Sequence, residues 1–256
     1  QYKVMSDDFR SDIGFITKND IKQYDFWHSL YQYPNKKYLQ NYRISFRHEQ
    51  TYNHSEILKR SSSQLYLQFL TIGDTDVFYN YEYNWKKSHL EYQFQDFINH
   101  LLRIRGKPLS FLDFNFSYKF GKDIAYREII PQLGYETNIN FDIEFAINNN
   151  LRVKPIISYQ DIRKADSNGY YFKGYISRLD IRYQFNNNLD IRLISEYNDF
   201  SEQVFLQPLI SWRPNPDTIF YLGGNQNYIN NFIDYNSPHY RVNKTQLFLK
   251  FQYLIK

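Results

Sequence analysis

Acidic and basic side chains recur at positions of one parity on either side of two asparagine triplets. Asp142 and Glu144 precede Asn148–Asn150, and Arg152 and Lys154 follow it; Arg178, Asp180 and Arg182 precede Asn186–Asn188, and Asp190, Arg192 and Glu196 follow it. Successive side chains of an extended chain point to opposite faces, so this spacing gathers the charges on one wall. Fixed charges of both signs on a wet wall orient dipoles and discriminate among hydrophilic solutes; they make no covalent bonds. Another set, Arg103, Arg105 and Lys107, follows Tyr92, Phe94 and Phe97, a mixture of cations and aromatic platforms suited to holding a ligand or contacting phosphates. Phe232, Tyr235 and Tyr240 offer surfaces on which sugar rings could stack.

Covalent and metal chemistry have less support. The histidines, His28, His48, His54, His89, His100 and His239, form no pair at metal-ligand spacing, and there is no cysteine. Gly223-Gly224 supplies no phosphate cradle and reads as a bulge or a place of close backbone approach. No cofactor is expected.

The opposite wall of each charged stretch is apolar. Phe141, Ile143, Phe145 and Ile147 interleave with Asp142, Glu144 and Ala146, and Leu151, Val153, Pro155 and Ile157 alternate with Arg152 and Lys154. Such stretches recur along all 256 residues, of which 26 are Tyr and 22 Phe. Mean hydropathy is nevertheless −0.67. A disordered chain lacks such aromatics, and a helical membrane protein is far more apolar. No apolar run approaches the length of a transmembrane helix or a signal-peptide core, so any membrane crossing must be by strands. The net charge of +4 is small, with Lys and Arg dispersed, which argues against a nucleic-acid partner. Absence of cysteine suits an oxidising periplasm.

Strands are predicted near 9–17, 21–33, 38–50, 62–72, 76–86, 110–120, 124–134, 137–147, 151–161, 169–185, 189–199, 202–213, 218–228 and 243–256. Short turn-rich links at 34–37, 73–76, 121–123, 148–150, 186–188 and 214–217 alternate with links that include longer ones, 51–61, 87–109, 162–168 and 229–242. Short turns sorted to one end and long loops to the other are the pattern of an antiparallel up-and-down transmembrane β-barrel, here of about fourteen strands. Turning on Asn149 sets Glu144 opposite Lys154. Turning on Asn187 sets Tyr183 opposite Ile191, Leu179 opposite Ser195, Arg178 opposite Glu196, and Arg182 unfavourably opposite Arg192, with Asp180 and Asp190 as diagonal relief.

On this reading the lipid face carries Leu112, Phe114, Phe116, Tyr118 and Phe120, then Val204, Leu206, Ile210 and Trp212, then Leu247, Leu249, Phe251, Tyr253 and Ile255. The ten charged residues around the triplets line the interior. Strand serines such as Ser45, Ser117, Ser158, Ser177 and Ser211 would attack lipid only with a histidine beside one on the outward face, and no such pair is expected; the chain is not read as an enzyme. The last strand alternates up to Lys256, as outer-membrane barrels commonly do, although their terminal residue is usually aromatic. The expected location is the outer membrane of a Gram-negative bacterium, in contact with lipid, lipopolysaccharide and other envelope proteins.

Asp12-Ile13-Gly14-Phe15-Ile16 followed by Asn19-Asp20, the aromatic stretch from Phe26-Trp27 to Tyr33, and the ending Phe248-Leu249-Lys250-Phe251-Gln252-Tyr253-Leu254 resemble the C-terminal barrel half of a family of large outer-membrane proteins. Members of that family carry an N-terminal module similar to family-nine carbohydrate-binding domains. The resemblance implies that these residues, one barrel domain over 1–256, belong to a longer protein whose further strands complete a larger barrel. The expected function is porin-like passage or binding of small hydrophilic solutes; the alternative is a non-conducting barrel serving as scaffold or subunit of an envelope complex.

Overall fold

The computed structural model, which describes residues 1–6, 8, 19–231 and 239–254, arranges fourteen strands in one sheet in chain order, each antiparallel to the next. They are β1 (Tyr2–Met5), β2 (Ile21–Gln32), β3 (Leu39–Tyr52), β4 (Leu58–Thr71), β5 (Asp76–His89), β6 (Tyr92–Leu109) and β7 (Leu112–Ile124), followed by β8 (Leu133–Ala146), β9 (Leu151–Lys164), β10 (Tyr170–Asn186), β11 (Leu189–Asn198), β12 (Gln203–Asn215), β13 (Thr218–Asn231) and β14 (His239–Tyr253). Two compact units divide the sheet. The first comprises Gln1–Ile104, Ser117–Asn138 and Asp161–Phe172; the second comprises Arg105–Phe116, Ile139–Gln160 and Lys173–Lys256.

Asparagine side chains shape several of the turns. Asn148 Oδ1 accepts from the backbone N–H of Asn150 and Leu151 at 2.9 and 2.8 Å, and Asn186 Oδ1 does the same for Asn188 and Leu189 at 2.8 and 3.0 Å. Asn215 repeats the motif with Asp217. These side-chain acceptors stand in for a backbone carbonyl and hold the chain in a tight reversal. The register read from the second triplet is the observed one: Arg178 opposes Glu196, Leu179 opposes Ser195, Arg182 opposes Arg192, and Tyr183 opposes Ile191.

One region departs from the expectation. Residues 87–109 are not a loop: Lys87 to His89 complete β5, and after the link at 90–91 the chain forms β6. Residues 124–134 are not a strand but mostly the connection 125–132, and Gly121–Asp123 lie within β7 instead of forming a turn. Physically, β6 is hidden because its flanking reversals use Leu90-Glu91 and Ser110-Phe111, with no Gly, Asn or Pro to mark them. Leu90 takes a left-handed φ of 53° that turn-formers usually supply. Asp96, at φ 53°, also interrupts the alternation inside β6. The missed strand and the false one offset each other, so the directions assigned from β8 onward hold while β7 runs opposite to expectation. The predicted strand 9–17 lies outside the described residues, as do Phe232, Tyr235 and Ile255.

Links that leave even-numbered strands are short throughout: 33–38, 72–75, 110–111, 147–150, 187–188 and 216–217. Among the described residues, those leaving odd-numbered strands include the longer 125–132 but also the short 90–91, so the sorting by end holds only in part.

The two faces differ in the reverse sense to a globular domain. Among the described residues the buried set contains 15 polar or charged side chains and only six hydrophobic ones, so shielding has gone to polar groups. In the first unit Ser45, Glu49, Thr51, Ser62, Gln64 and Asn84 are buried while Phe26, Leu30, Phe46 and Leu65 are exposed. Strand register puts those two sets on opposite faces of β2–β5. The second unit exposes Leu247 at 84%, Leu249 at 74% and Phe251 at 58%, all on one side of β14.

Gly223-Gly224 is a close approach. A Cβ on Gly223 would lie 2.7 Å from the Phe248 ring, and the pairing with β14 runs through both glycines without a register shift.

Candidate functional site

The shielded face of β2–β5 is a lattice of cross-strand rows. Read across the four strands, successive rows are Asp25, Glu49, Ser62 and Asn84; then Trp27, Arg47, Gln64 and Glu82; then Ser29, Ser45, Tyr66 and Asn80; then Tyr31, Arg43, Gln68 and Phe78. Asp25 and Glu49 oppose each other as like charges, and Arg47 resolves the conflict. Its Nε donates to both Asp25 oxygens at 2.9 and 3.0 Å, and its Nη2 lies 2.9 Å from Glu49. Arg60 carries the chain onward, 3.6 Å from Glu49 and 3.0 Å from Glu82. Alternating charges thus cross four strands, each satisfied by a neighbour of opposite sign.

Beside this ladder lies a cavity of about 920 Å³ whose lining includes Gln23, Glu49, Thr51, Arg60, Lys87 and Tyr126. Lys87 Nζ sits 5.4 Å from the Tyr126 ring centroid and 3.9 Å from Asp123, and His89 meets the same ring edge-on at 4.8 Å. Lys119 joins the buried carboxylates of Asp123 and Glu136. Among the described residues no group of three or more histidines or carboxylates is placed to hold a metal ion.

Charged residues of the second unit pair locally. Arg178 lies 3.7 Å from Glu196, Asp180 holds Arg192 with contacts of 2.7 to 3.2 Å, Arg152 lies 3.2 Å from Glu144, and Lys154 lies 3.6 Å from Asp142. The acids of β8 therefore pair one to one with the bases of β9, Glu144 with Arg152 and Asp142 with Lys154, while the Ile147 N–H to Leu151 carbonyl bond across the turn agrees with the register expected about Asn149. Arg182, Asp190 and Arg192 line one cavity of about 290 Å³, and Arg178 and Glu196 line another of about 260 Å³.

The expected loop ligands are placed differently. Arg103, Arg105 and Lys107 lie on β6, with the Arg103 guanidinium 5.0 Å from the Phe78 ring centroid, and Phe97 of the same strand is buried. Tyr240 is on β14 and exposed.

A second correction concerns serine and histidine. His48 does stand beside a strand serine on the apolar face: it opposes Ser63, with Nδ1 2.9 Å from Oγ. The same Oγ accepts from Trp85 Nε1 at 3.0 Å. Among the described residues no carboxylate holds the other ring nitrogen, so the pair lacks the orienting member of a hydrolytic triad.

The reading from sequence missed Asp25, Arg47, Glu49, Arg60 and Glu82. Their signal was present, since Arg43, Ser45, Arg47, Glu49 and Thr51 alternate with Tyr42, Ile44, Phe46 and His48. No family model matches the chain, and no curated protein matches it.

Proposed function

We propose that this chain is an integral outer-membrane β-barrel that passes or binds small hydrophilic solutes along its polar face. The observation that carries the reading is the inverted burial: polar groups are shielded and large apolar ones exposed, the arrangement that lipid outside and water inside would select. Apart from β1, the strands run from 10 to 18 residues, enough for a tilted strand to cross a bilayer.

Aromatic clusters near the strand ends of the exposed face support it further. In the first unit Tyr2, Tyr24 and Tyr52 associate at one end, and Tyr42 and Phe69 near the other. In the second unit Tyr175 pairs with Tyr197, and Trp212, Phe220 and Phe251 form a row toward the opposite strand ends. Amphipathic rings prefer the headgroup level of a bilayer, where the ring meets acyl chains and the polar tip meets water. The resemblance to the barrel half of large outer-membrane proteins belongs to the same reading.

The test is ion conductance of the full-length protein in planar bilayers, with heat-modifiable gel migration to establish folding. Stepwise current supports passage. A heat-modifiable protein without current returns the reading to the scaffold alternative, and a protein that partitions into the aqueous phase without detergent overturns the membrane reading.

A further inference from the structure

We propose that the polar face of β2–β5 carries a binding track for uncharged oligosaccharides, built on Trp27, Tyr66 and Phe78. The proposal deepens the solute-passage reading and rests on it for the placement of this face in water.

The three rings come from three strands and meet across the lattice. Trp27 and Tyr66 have centroids 5.1 Å apart, and Tyr66 and Phe78 have theirs 5.9 Å apart, with interplanar angles of 39° and 38°. The intervening strand β3 supplies Ser45 between them, small enough to lie under the rings and only 1% exposed. Trp27 Nε1 donates to Ser29 Oγ at 2.7 Å, and Ser29 and Ser45 share a 2.8 Å hydrogen bond, so the indole is held by its polar edge. Arg103 caps the row at Phe78. Trp27 is 48% exposed on a face where Gln64 is 7% exposed, so its ring stands into open space above its neighbours.

Aromatic rings in a row on a polar wall suit a ligand with two kinds of surface. A pyranose ring has a face of C–H groups that stacks on an aromatic ring and a rim of hydroxyls that needs donors and acceptors. The lattice offers the second as well. Beside the rings, Ser29, Tyr31 and Gln68 present hydroxyl and amide groups on the same cross-strand rows, with Tyr31 50% exposed, and a polyol brings both donors and acceptors.

Around Trp27 and Tyr66 the charges are engaged with one another, Asp25 and Glu49 with Arg47, and Glu49 and Glu82 with Arg60. At the Phe78 end Arg43 and Arg103 lie against the Tyr31 and Phe78 rings, so a charged probe belongs in the test. An apolar solute would cover the rings and leave the amides without partners.

Three tryptophans occur among these 256 residues, at 27, 85 and 212, so in the full-length W85F/W212F protein the Trp27 signal is the part that a further Trp27→Phe removes. Its emission is titrated with maltohexaose, cellohexaose and xylohexaose, and with trigalacturonate as the charged probe. The expected result is a saturable change with at least one neutral hexamer, weakened at least tenfold by Tyr66→Ala and by Phe78→Ala and unaffected by Tyr81→Ala on the other face. Tyr66→Leu and Phe78→Leu, which keep bulk without a ring, replace any alanine variant that loses heat-modifiable migration. Silence with all three neutral hexamers, tighter binding of trigalacturonate, or undiminished binding in the Tyr66 and Phe78 variants would overturn the track. Conductance in the same preparation separates the two readings. Current with no Trp27 response sinks the track and leaves passage standing, whereas a saturable, ring-dependent response without current supports the track and reduces the proposed function to solute binding without passage.

Discussion

Arg182 on β10 and Arg192 on β11 stand directly opposite each other, two like charges in a cross-strand position that disfavours them. Asp180 makes the arrangement tolerable by holding Arg192 with Nε contacts of 3.0 and 3.2 Å and an Nη2 contact of 2.7 Å. Asp180→Asn is expected to destabilise the protein by about 1.5–3 kcal/mol at low salt, the range for a hydrogen bond to a charged group. The loss should shrink in about 1 M salt, where the screening length falls to about 3 Å. Adding Arg182→Gln should restore part of it. Urea midpoints at two ionic strengths measure this, and a loss independent of salt would mean the pair acts through packing.

Leu247 lies near the middle of β14, and Phe251 lies close to its end. An arginine on a lipid-facing strand costs about 2–4 kcal/mol at the bilayer midplane and about 0–1 kcal/mol near the interface. Leu247→Arg should therefore impair assembly more than Phe251→Arg does, and Lys250→Glu on the other face should leave it near the parent. Heat-modifiable migration of the three variants gives the order; equal effects from Leu247 and Lys250 would mean the faces are misassigned.

Gly121 is a point of close approach between β7 and β6. A Cβ there would come within 2.5 Å of the Ile98 carbonyl oxygen, and the residue has φ +121°, which side-chain-bearing residues rarely adopt. Gly121→Ala is expected to cost about 1–3 kcal/mol. Gly169→Ala, whose nearest contacts are 3.5 Å away on side chains, should change stability by less than about 0.5 kcal/mol. Thermal unfolding of the two variants in one detergent checks the contrast.

Sidedness follows from alternation once the proposed location holds. The link at 187–188 leaves an even-numbered strand and the link at 165–169 an odd-numbered one, so the two emerge at opposite strand ends. With the last strand ending in the periplasm, a tag in 165–169 should bind antibody on intact cells. A tag at Asn187 should bind only after the outer membrane is permeabilised. Exposure of both on intact cells would count against a membrane-spanning sheet.

Asp20, outside the strands, accepts from the His54 backbone N–H at 2.8 Å and lies 2.8 Å from its ring Nδ1. These hydrogen bonds, the backbone one first, hold its carboxyl below the ordinary 3.8. A depressed folded value means the stabilisation is present above 3.8 and is lost as pH falls through the lower folded value. The His54 amide should then stay protected from exchange through neutral and mildly acidic pH and lose protection only below 3.8. Asp20→Asn should show faster exchange already at neutral pH; an unchanged rate would show that the carboxylate does not anchor this link.

Alternation made the two walls of each strand legible, because side-chain direction with period two is a property of the local backbone. The Asn186–Asn188 turn likewise revealed its register before any tertiary contact was known, since a tight reversal leaves few ways to pair the strands it joins. β6 escaped for an equally local reason: Leu90-Glu91 and Ser110-Phe111 turn without Gly, Asn or Pro, and Asp96 interrupts the alternation. Other features belong to the assembled sheet. Alternation alone did not say which wall is shielded, nor that Arg47 stands between Asp25 and Glu49, nor that Trp27, Tyr66 and Phe78 meet across Ser45. Those relationships join residues far apart in the chain, and only strand pairing brings them within reach of one another.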